Sequence, residues 1–473
     1  MSFSELTFVF LFLPIAIIPY IILPKAWQEK VRDILLLIIS MGFYFLFGFR
    51  TLFTFLFINF LTYMLGNLVY LTKEREPGSK KWIITAVVLI SMMLVYFKLN
   101  QTITDIINEI GLFGIQFSPI AAPLGISFLI FESISYIVDI YRGEATPGSF
   151  SEALLFFSLF PKLLSGPIVQ WKDFQPQISN RRNSSENISA GIDRIIIGYA
   201  KKVIIADCFG SMISTINDSI LSTGVDTPTL WLKYIFYFFQ IYYDFSGYSD
   251  IAIGLCRIYG FNIKENFNFP YLSKSITEFW RRWHISLGTW FREYVYIPLG
   301  GNRKGNVYLH LMIVFVLTGI WHGISLPFLV WGILNGIIVV IERMIRNRRW
   351  YKKTPDILKW AVTIIILFFL WMVFSAGGLK DLAHTIQQMF TGTKANGLNF
   401  TWEYYLTNRA VFLLVIASLG AVAEIFKDNK HIISIQNKTG VIIVQKAILM
   451  LIFAIDILYM VNRSYSPFMY FRF

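Results

Sequence analysis

Two of the chain's five histidines stand where they could move a proton: His322 in LTGIWHG and His284 in WRRWHISLGTW. A neutral imidazole can take a proton from a hydroxyl at ordinary pH, which is what a general base in group transfer must do. His322 closes an apolar run that begins near Asn306. A helix rising roughly 1.5 Å per residue would carry it past mid-membrane. Ionisable groups at that depth are expensive and are functional candidates by default, the alternative being a histidine hydrogen-bonded to a neighbouring helix. Gly319 and Gly323 flank it and are expected to leave room for a substrate. His284 would either line a pocket or simply donate to a backbone carbonyl.

Charged groups surround these two positions in the sequence. Arg281, Arg282, Arg292, Arg303 and Lys304 have the chemistry to hold phosphates, although positive-inside orientation alone would also place cations there. Asp244 and Asp250, in YYDFSGYSD, could orient a histidine, bind a cation, or pair with Arg281 or Arg282. Glu132, in FLIFESISYIVD, could serve similarly. Trp280, Trp321, Lys162 and Ser165 complete the supporting candidates. Cys208 and Cys256 show no zinc spacing and lie in apolar surroundings, where a thiol behaves as a small hydrophobe. No metal site is expected.

The elements that must position these groups are membrane helices. Of the 473 residues, 55% are hydrophobic and 17% aromatic, and the mean hydropathy is +0.57. Windows of about 20 apolar residues recur, each long enough to cross a hydrocarbon core as a helix. They run approximately over 3–23, 32–49, 51–71, 82–99, 119–140, 192–222, 231–253, 306–326, 327–343, 357–376, 409–427 and 440–462. The fold class is therefore all-α, a polytopic membrane protein of about 11–12 transmembrane helices. Residues 151–170, with FPKLLSGPIVQW, read as a re-entrant dip, because two prolines, a glycine and a lysine suit a plain span badly. On a helical wheel, Phe279, Trp283, Leu287, Trp290 and Tyr294 form one stripe, and Glu278, Arg281, Arg282, Thr289, Arg292 and Glu293 another. That predicts one interfacial amphipathic helix, with His284 on its apolar side.

The net charge of +13 resides in short connections between apolar stretches, so membrane topology explains it better than nucleic acid does. With the basic connections 25–32, 73–81, 172–202, 264–304, 343–353 and 427–438 cytoplasmic, both termini and segments 100–118 and 377–408 lie outside. The first apolar segment lacks a basic leader and a cleavage site, so it reads as a span and not a signal. The chain has no phosphate-binding G-x-x-x-x-G-K-[ST] loop, H-E-x-x-H or G-x-S-x-G motif, and inspection finds no internal repeat.

Five ordered blocks resemble the membrane-bound O-acyltransferase (MBOAT) family, and within it the bacterial branch of alginate O-acetylation proteins and related polysaccharide O-acetyltransferases. They are residues 160–178, 241–261, 266–305, LTGIWHG (317–323) and the ending PFMYFRF (467–473). The resemblance implies a ring of helices around a central tunnel, formed by one membrane domain over 1–473. Its parts would be N-terminal helices 1–150, a catalytic core 151–345 and C-terminal helices 346–473. His322 matches the family's membrane histidine and would act as catalytic base; His284 matches the second. Arg281, Arg282, Arg303 and Lys304 would face the donor, with Asp244, Asp250, Trp280, Trp321, Lys162 and Ser165 in support.

The implied reaction moves an acyl group, by family leaning acetyl, from a cytoplasmic thioester such as acetyl-CoA towards an extracytoplasmic polysaccharide. No tightly bound cofactor is implied. The implied setting is the bacterial inner (plasma) membrane. The implied partner is a separate extracytoplasmic acetyltransferase of the serine-hydrolase-like SGNH type, acceptor contact being direct or through it. The alternatives are D-alanyl transfer to teichoic acid, or an acyl conduit or transporter without covalent chemistry.

Overall fold

Side-chain caps decide where several helices begin. Ser149 and Glu152 form a reciprocal capping box, Ser275 accepts from the Glu278 amide, and Asn306 accepts from the amides of Tyr308 and Leu309. Each satisfies backbone donors that a helix start leaves without an intrahelical acceptor. A computed structural model describes residues 3–23, 29–73, 79–110, 118, 120, 122–163, 166–181, 184–392, 400–423 and 439–462.

In chain order the α-helices are α1 Leu13–Ile22, α2 Glu29–Phe45, α3 Phe49–Lys73, α4 Ser79–Ile110, α5 Ile126–Arg142, α6 Phe150–Ser158, α7 Phe160–Leu163, α8 Trp171–Asn180, α9 Ser185–Tyr199, α10 Asp207–Ser222 and α11 Thr227–Ile258. There follow α12 Ile276–Arg282, α13 Ile285–Phe291, α14 Val307–His322, α15 Leu326–Ile345, α16 Arg349–Lys353, α17 Asp356–Ser375, α18 Leu379–Thr391, α19 Trp402–Tyr405, α20 Asn408–Val422 and α21 Thr439–Val461. Wider π-helical turns occupy Phe8–Phe12, Ala200–Ala206 and Arg292–Tyr296. No strand occurs among the described residues, so the all-α reading holds.

Five of these helices are long and apolar enough to cross a membrane, over Phe49–Lys73, Lys80–Asn100, Leu326–Ile345, Asp356–Ser375 and Thr439–Val461. Shorter apolar helices cover Phe8–Ile22, Val307–His322 and Asn408–Val422. Their outer faces carry bare apolar side chains such as Ile443, Leu451 and Leu458, which a hydrocarbon solvent accommodates and water does not. The protein is a multi-pass membrane protein. Other expected spans, α5 with Glu132 and Asp139 and α11 with Asp244 and Asp250, bury ionisable groups instead.

Contacts divide the described chain into two units, Met1–Ile192 with Ala252–Lys264, and Asp193–Ile251 with Glu265–Phe473. Within the first, α5 packs against α3 and α4. Gly66 lets the Tyr136 ring lie where a Cβ would stand only 2.3 Å from it, and Tyr136 donates to the Pro147 carbonyl. Within the second, α14 packs on α15, and α15 on α17 and α12. This second unit holds both histidines.

Candidate active site

The predicted single helix through His284 is two helices. Backbone at His284 turns left-handed, with φ 46° and ψ 52°, between α12 and α13. Such a conformation is costly for a non-glycine residue and persists only when the surroundings impose it. Here the loop 266–268 imposes it: the Asn268 amide donates to the Arg282 carbonyl, and the Ile285 amide to the Asn266 carbonyl, each at 2.9 Å. The wheel fails because it assumes one continuous axis. His284 faces the protein interior, at 1% exposure.

Asn266, fully buried, organises this turn. Its Nδ2 donates to Ser249 Oγ at 3.0 Å. Its Oδ1 accepts from the Ser286 amide at 3.2 Å and from Ser286 Oγ at 2.9 Å, and lies 3.2 Å from His284 Nδ1. A backbone N–H can only donate, so the oxygen of the amide must face Ser286 and His284. His284 then donates from Nδ1, and Nε2 carries the lone pair. The Phe245 ring stands edge-on to the imidazole at 4.7 Å. Burial in these surroundings pushes the imidazole down to about 3, so it is neutral at physiological pH.

His322 ends α14, and its setting is aromatic. Trp321 lies at 4.7 Å, Phe374 at 5.0 Å, Trp331 at 5.3 Å and Phe328 at 6.3 Å between ring centroids. The imidazole is 4% exposed. The flanking glycines do a different job from the one expected. A Cβ on Gly319 would stand 2.5 Å from the Phe328 carbonyl oxygen, and one on Gly323 2.5 Å from the Phe328 ring. They let α15 approach α14, so the space beside them is filled by protein, not left to a substrate.

Trp321 joins the two sites, since its ring also lies 6.3 Å from that of His284. Trp280 belongs to the same assembly: its indole donates to Asn335 Oδ1 at 3.1 Å and packs on Trp331 at 5.6 Å. His284, His322, Trp280 and Trp321 are thus gathered by the fold.

The charged candidates divide. Asp244 and Asp250 do not pair with Arg281 or Arg282. Lys202 donates to Asp244 Oδ1 at 2.7 Å and to Asp207 Oδ1 at 2.7 Å. Asp250 receives Lys201 at 2.6 Å and Arg194 at 2.9 Å, and Arg194 also bonds Glu265. The π-helical turn Ala200–Ala206 presents both lysines to α11, a pairing that no local periodicity signals. Arg282 is held by Glu278 Oε1 at 3.0 Å and the Asn268 carbonyl at 3.2 Å, which gives it a structural task. Arg281 is exposed, as are Arg303 and Lys304, and none of the three has an ion pair among the described residues. The last two project from a turn anchored by Asn302, which accepts from Tyr296 at 2.8 Å and Arg343 at 3.0 Å.

Lys162 belongs to the first unit, where it donates to Glu132 at 2.5 Å as a buried ion pair and lies 4.5 Å from the Phe156 ring centroid. Ser165 and the ending 467–473 lie outside the described residues. Among the described residues no group of three or more His, Cys, Asp or Glu side chains is arranged to hold a metal ion.

The family model described as MBOAT, membrane-bound O-acyltransferase family, matches residues 38–380, including both histidines. The chain belongs to this family. This membrane-bound O-acyltransferase is 36% identical to the probable alginate O-acetylase AlgI of Pseudomonas putida, over all of both chains. It is 30% identical to the peptidoglycan O-acetyltransferase of Helicobacter pylori, over 82% of this chain and 79% of that one. It is also 32% identical to the teichoic acid D-alanyltransferase of Streptococcus thermophilus, over 50% of this chain and 59% of the other. The protein is an acyltransferase. Both histidines lie inside the matched range, whereas Asn266, although it opens the block 266–305, was not among the candidates, because an asparagine's partners cannot be read from its neighbours in sequence.

Proposed function

We propose that this acyltransferase moves an acetyl group from a cytoplasmic thioester such as acetyl-CoA across the plasma membrane of a bacterium, for O-acetylation of an extracytoplasmic polysaccharide. The observation that carries the reading is the gathering of two buried histidines around one indole, Trp321. His322 takes the proton of the acceptor hydroxyl as the oxygen attacks the thioester carbonyl. The ester bond forms, the carbon–sulfur bond breaks, and the thiolate leaves and is protonated to the free thiol. Beside His322 stands Trp331, whose buried indole N–H has no hydrogen-bond partner among the described residues. Neutral His284 contributes a lone pair on Nε2 in the same assembly. Arg281, Arg303 and Lys304 are the exposed cations suited to the phosphates of the donor.

Full-length similarity favours acetyl over D-alanyl transfer, since the D-alanyltransferase similarity covers half of the chain. A separate extracytoplasmic acetyltransferase of the SGNH type is the proposed recipient that delivers the group to the glycan.

Purified wild type and His322→Ala, given radiolabelled acetyl-CoA and such a partner, test the reading. Label should reach partner or glycan with wild type and fall about 10²- to 10⁴-fold with His322→Ala; equal labelling overturns the assignment. Orientation is tested by a cysteine at position 347, between α15 and α16, which should be shielded from an impermeant thiol reagent in intact cells.

A further inference from the structure

Holding a neutral imidazole in one tautomer requires an acceptor that cannot exchange roles, and the Asn266 amide satisfies that condition. The Ser286 amide fixes Oδ1 on the histidine side at 3.2 Å, and Ser249 Oγ takes the Nδ2 donor on the other at 3.0 Å. We propose that Asn266 is a positioning residue for acyl transfer, fixing His284 as its Nδ1–H tautomer so that Nε2 presents a lone pair towards the chemistry. The inference rests on the acyl-transfer role given to His284 above.

Two consecutive positions on each side fasten this arrangement. Ser249 and Asp250 on α11 face Asn266 and Glu265 on the loop, directly in one case and through Arg194 in the other. The loop's second attachment is its backbone bonding to 282–285. Asn266 is therefore held from two directions, and the left-handed turn at His284 brings the imidazole to it. Of the charged groups on these elements, Asp250 and Glu265 pair with Arg194 and Lys201, Asp244 with Lys202 and Glu278 with Arg282, while Arg281 is exposed. Phe245 and Trp321, the rings beside His284, carry no charge. An uncharged amide thus directs the proton without drawing the imidazole into its cationic form.

Protein labelled with ¹⁵N-histidine distinguishes the tautomers by solid-state NMR, with His284→Ala assigning the signal. Wild type should show a protonated Nδ1 and a bare Nε2 at His284. In Asn266→Ala the Nε2–H form should appear, and acetyl transfer from labelled acetyl-CoA should lose about tenfold to a hundredfold in kcat with KM unchanged. Asn266→Asp keeps the acceptor and adds a negative charge, so the imidazole's pKa rises. Transfer by this variant should be retained at alkaline pH and fall as pH drops, with a second acid-side limb added to the one that the His322 base gives both proteins; the variant also serves if Asn266→Ala does not fold. A wild-type His284 protonated on Nε2 overturns the proposal, as does an Asn266→Ala protein with tautomer and kcat unchanged. Full transfer by His284→Ala overturns the acyl-transfer role of His284 and this inference with it, even where the tautomer is as stated.

Discussion

His284 and His322 share an indole neighbour but are held by opposite means. At His284 a left-handed backbone, an asparagine and two serines fix the ring through directed bonds of 2.9 to 3.2 Å. At His322 four rings and two close helices confine the imidazole by shape. Directed bonds select a tautomer, because donor and acceptor must alternate. Ring packing excludes water and limits ring rotation, and it responds to lost volume. The two regions should accordingly fail differently: the first to single-atom changes, the second to changes in size.

The largest effect should come from removing chemistry at the packed site. His322→Gln preserves much of the volume, yet transfer of labelled acetyl should fall about 10²- to 10⁴-fold if the ring is a base, with little change in thermal unfolding in detergent. A large fall in melting temperature with activity retained per folded molecule would instead make His322 a packing residue. Next, Trp331→Ala should destabilise by about 3–5 kcal/mol, the usual cost of deleting a large buried ring, measured by thermal or denaturant unfolding. A loss similar to that of an exposed substitution would remove shape as the constraint at His322. Gly319→Ala should cost about 1–3 kcal/mol through overpacking, because its Cβ would meet the Phe328 carbonyl oxygen at 2.5 Å.

The smallest effect concerns pH. Burial lowers the His284 pKa to about 3, against 6.5 for the free side chain. Between these values the unfolded chain binds a proton that the folded chain refuses, so stability from this group is full above about pH 6.5 and is lost progressively as pH falls towards 3. The melting temperature of wild type should therefore drop on acidification more steeply than that of His284→Gln. Parallel curves would mean that His284 titrates normally in the folded protein.

Some of this was legible before any coordinates. Apolar windows and their basic connections gave an all-α membrane protein, because a hydrocarbon environment demands internally bonded helices wherever the chain crosses. The ordered blocks around His284 and His322 pointed to acyl transfer, since those residues stand in local sequence. Lys162 and Glu132 are each conspicuous in the sequence, but not as partners, being 30 residues apart and on separate helices. Asp244 and Asp250 are conspicuous as well, and their expected arginine partners proved to be Lys202 for one and Lys201 and Arg194 for the other.

The sequence by itself determined the class of molecule and the family, because periodicity, hydropathy and contiguous motifs are properties of neighbouring residues. Only tertiary structure decided which nitrogen of His284 faces Asn266, what Gly319 and Gly323 approach, and which partners the buried charges of Glu132, Asp244 and Asp250 find. Those outcomes depend on groups brought together from distant positions, such as Ser249, Asn266 and Ser286. A hydrogen bond has direction and short range, and no pattern along the chain specifies either.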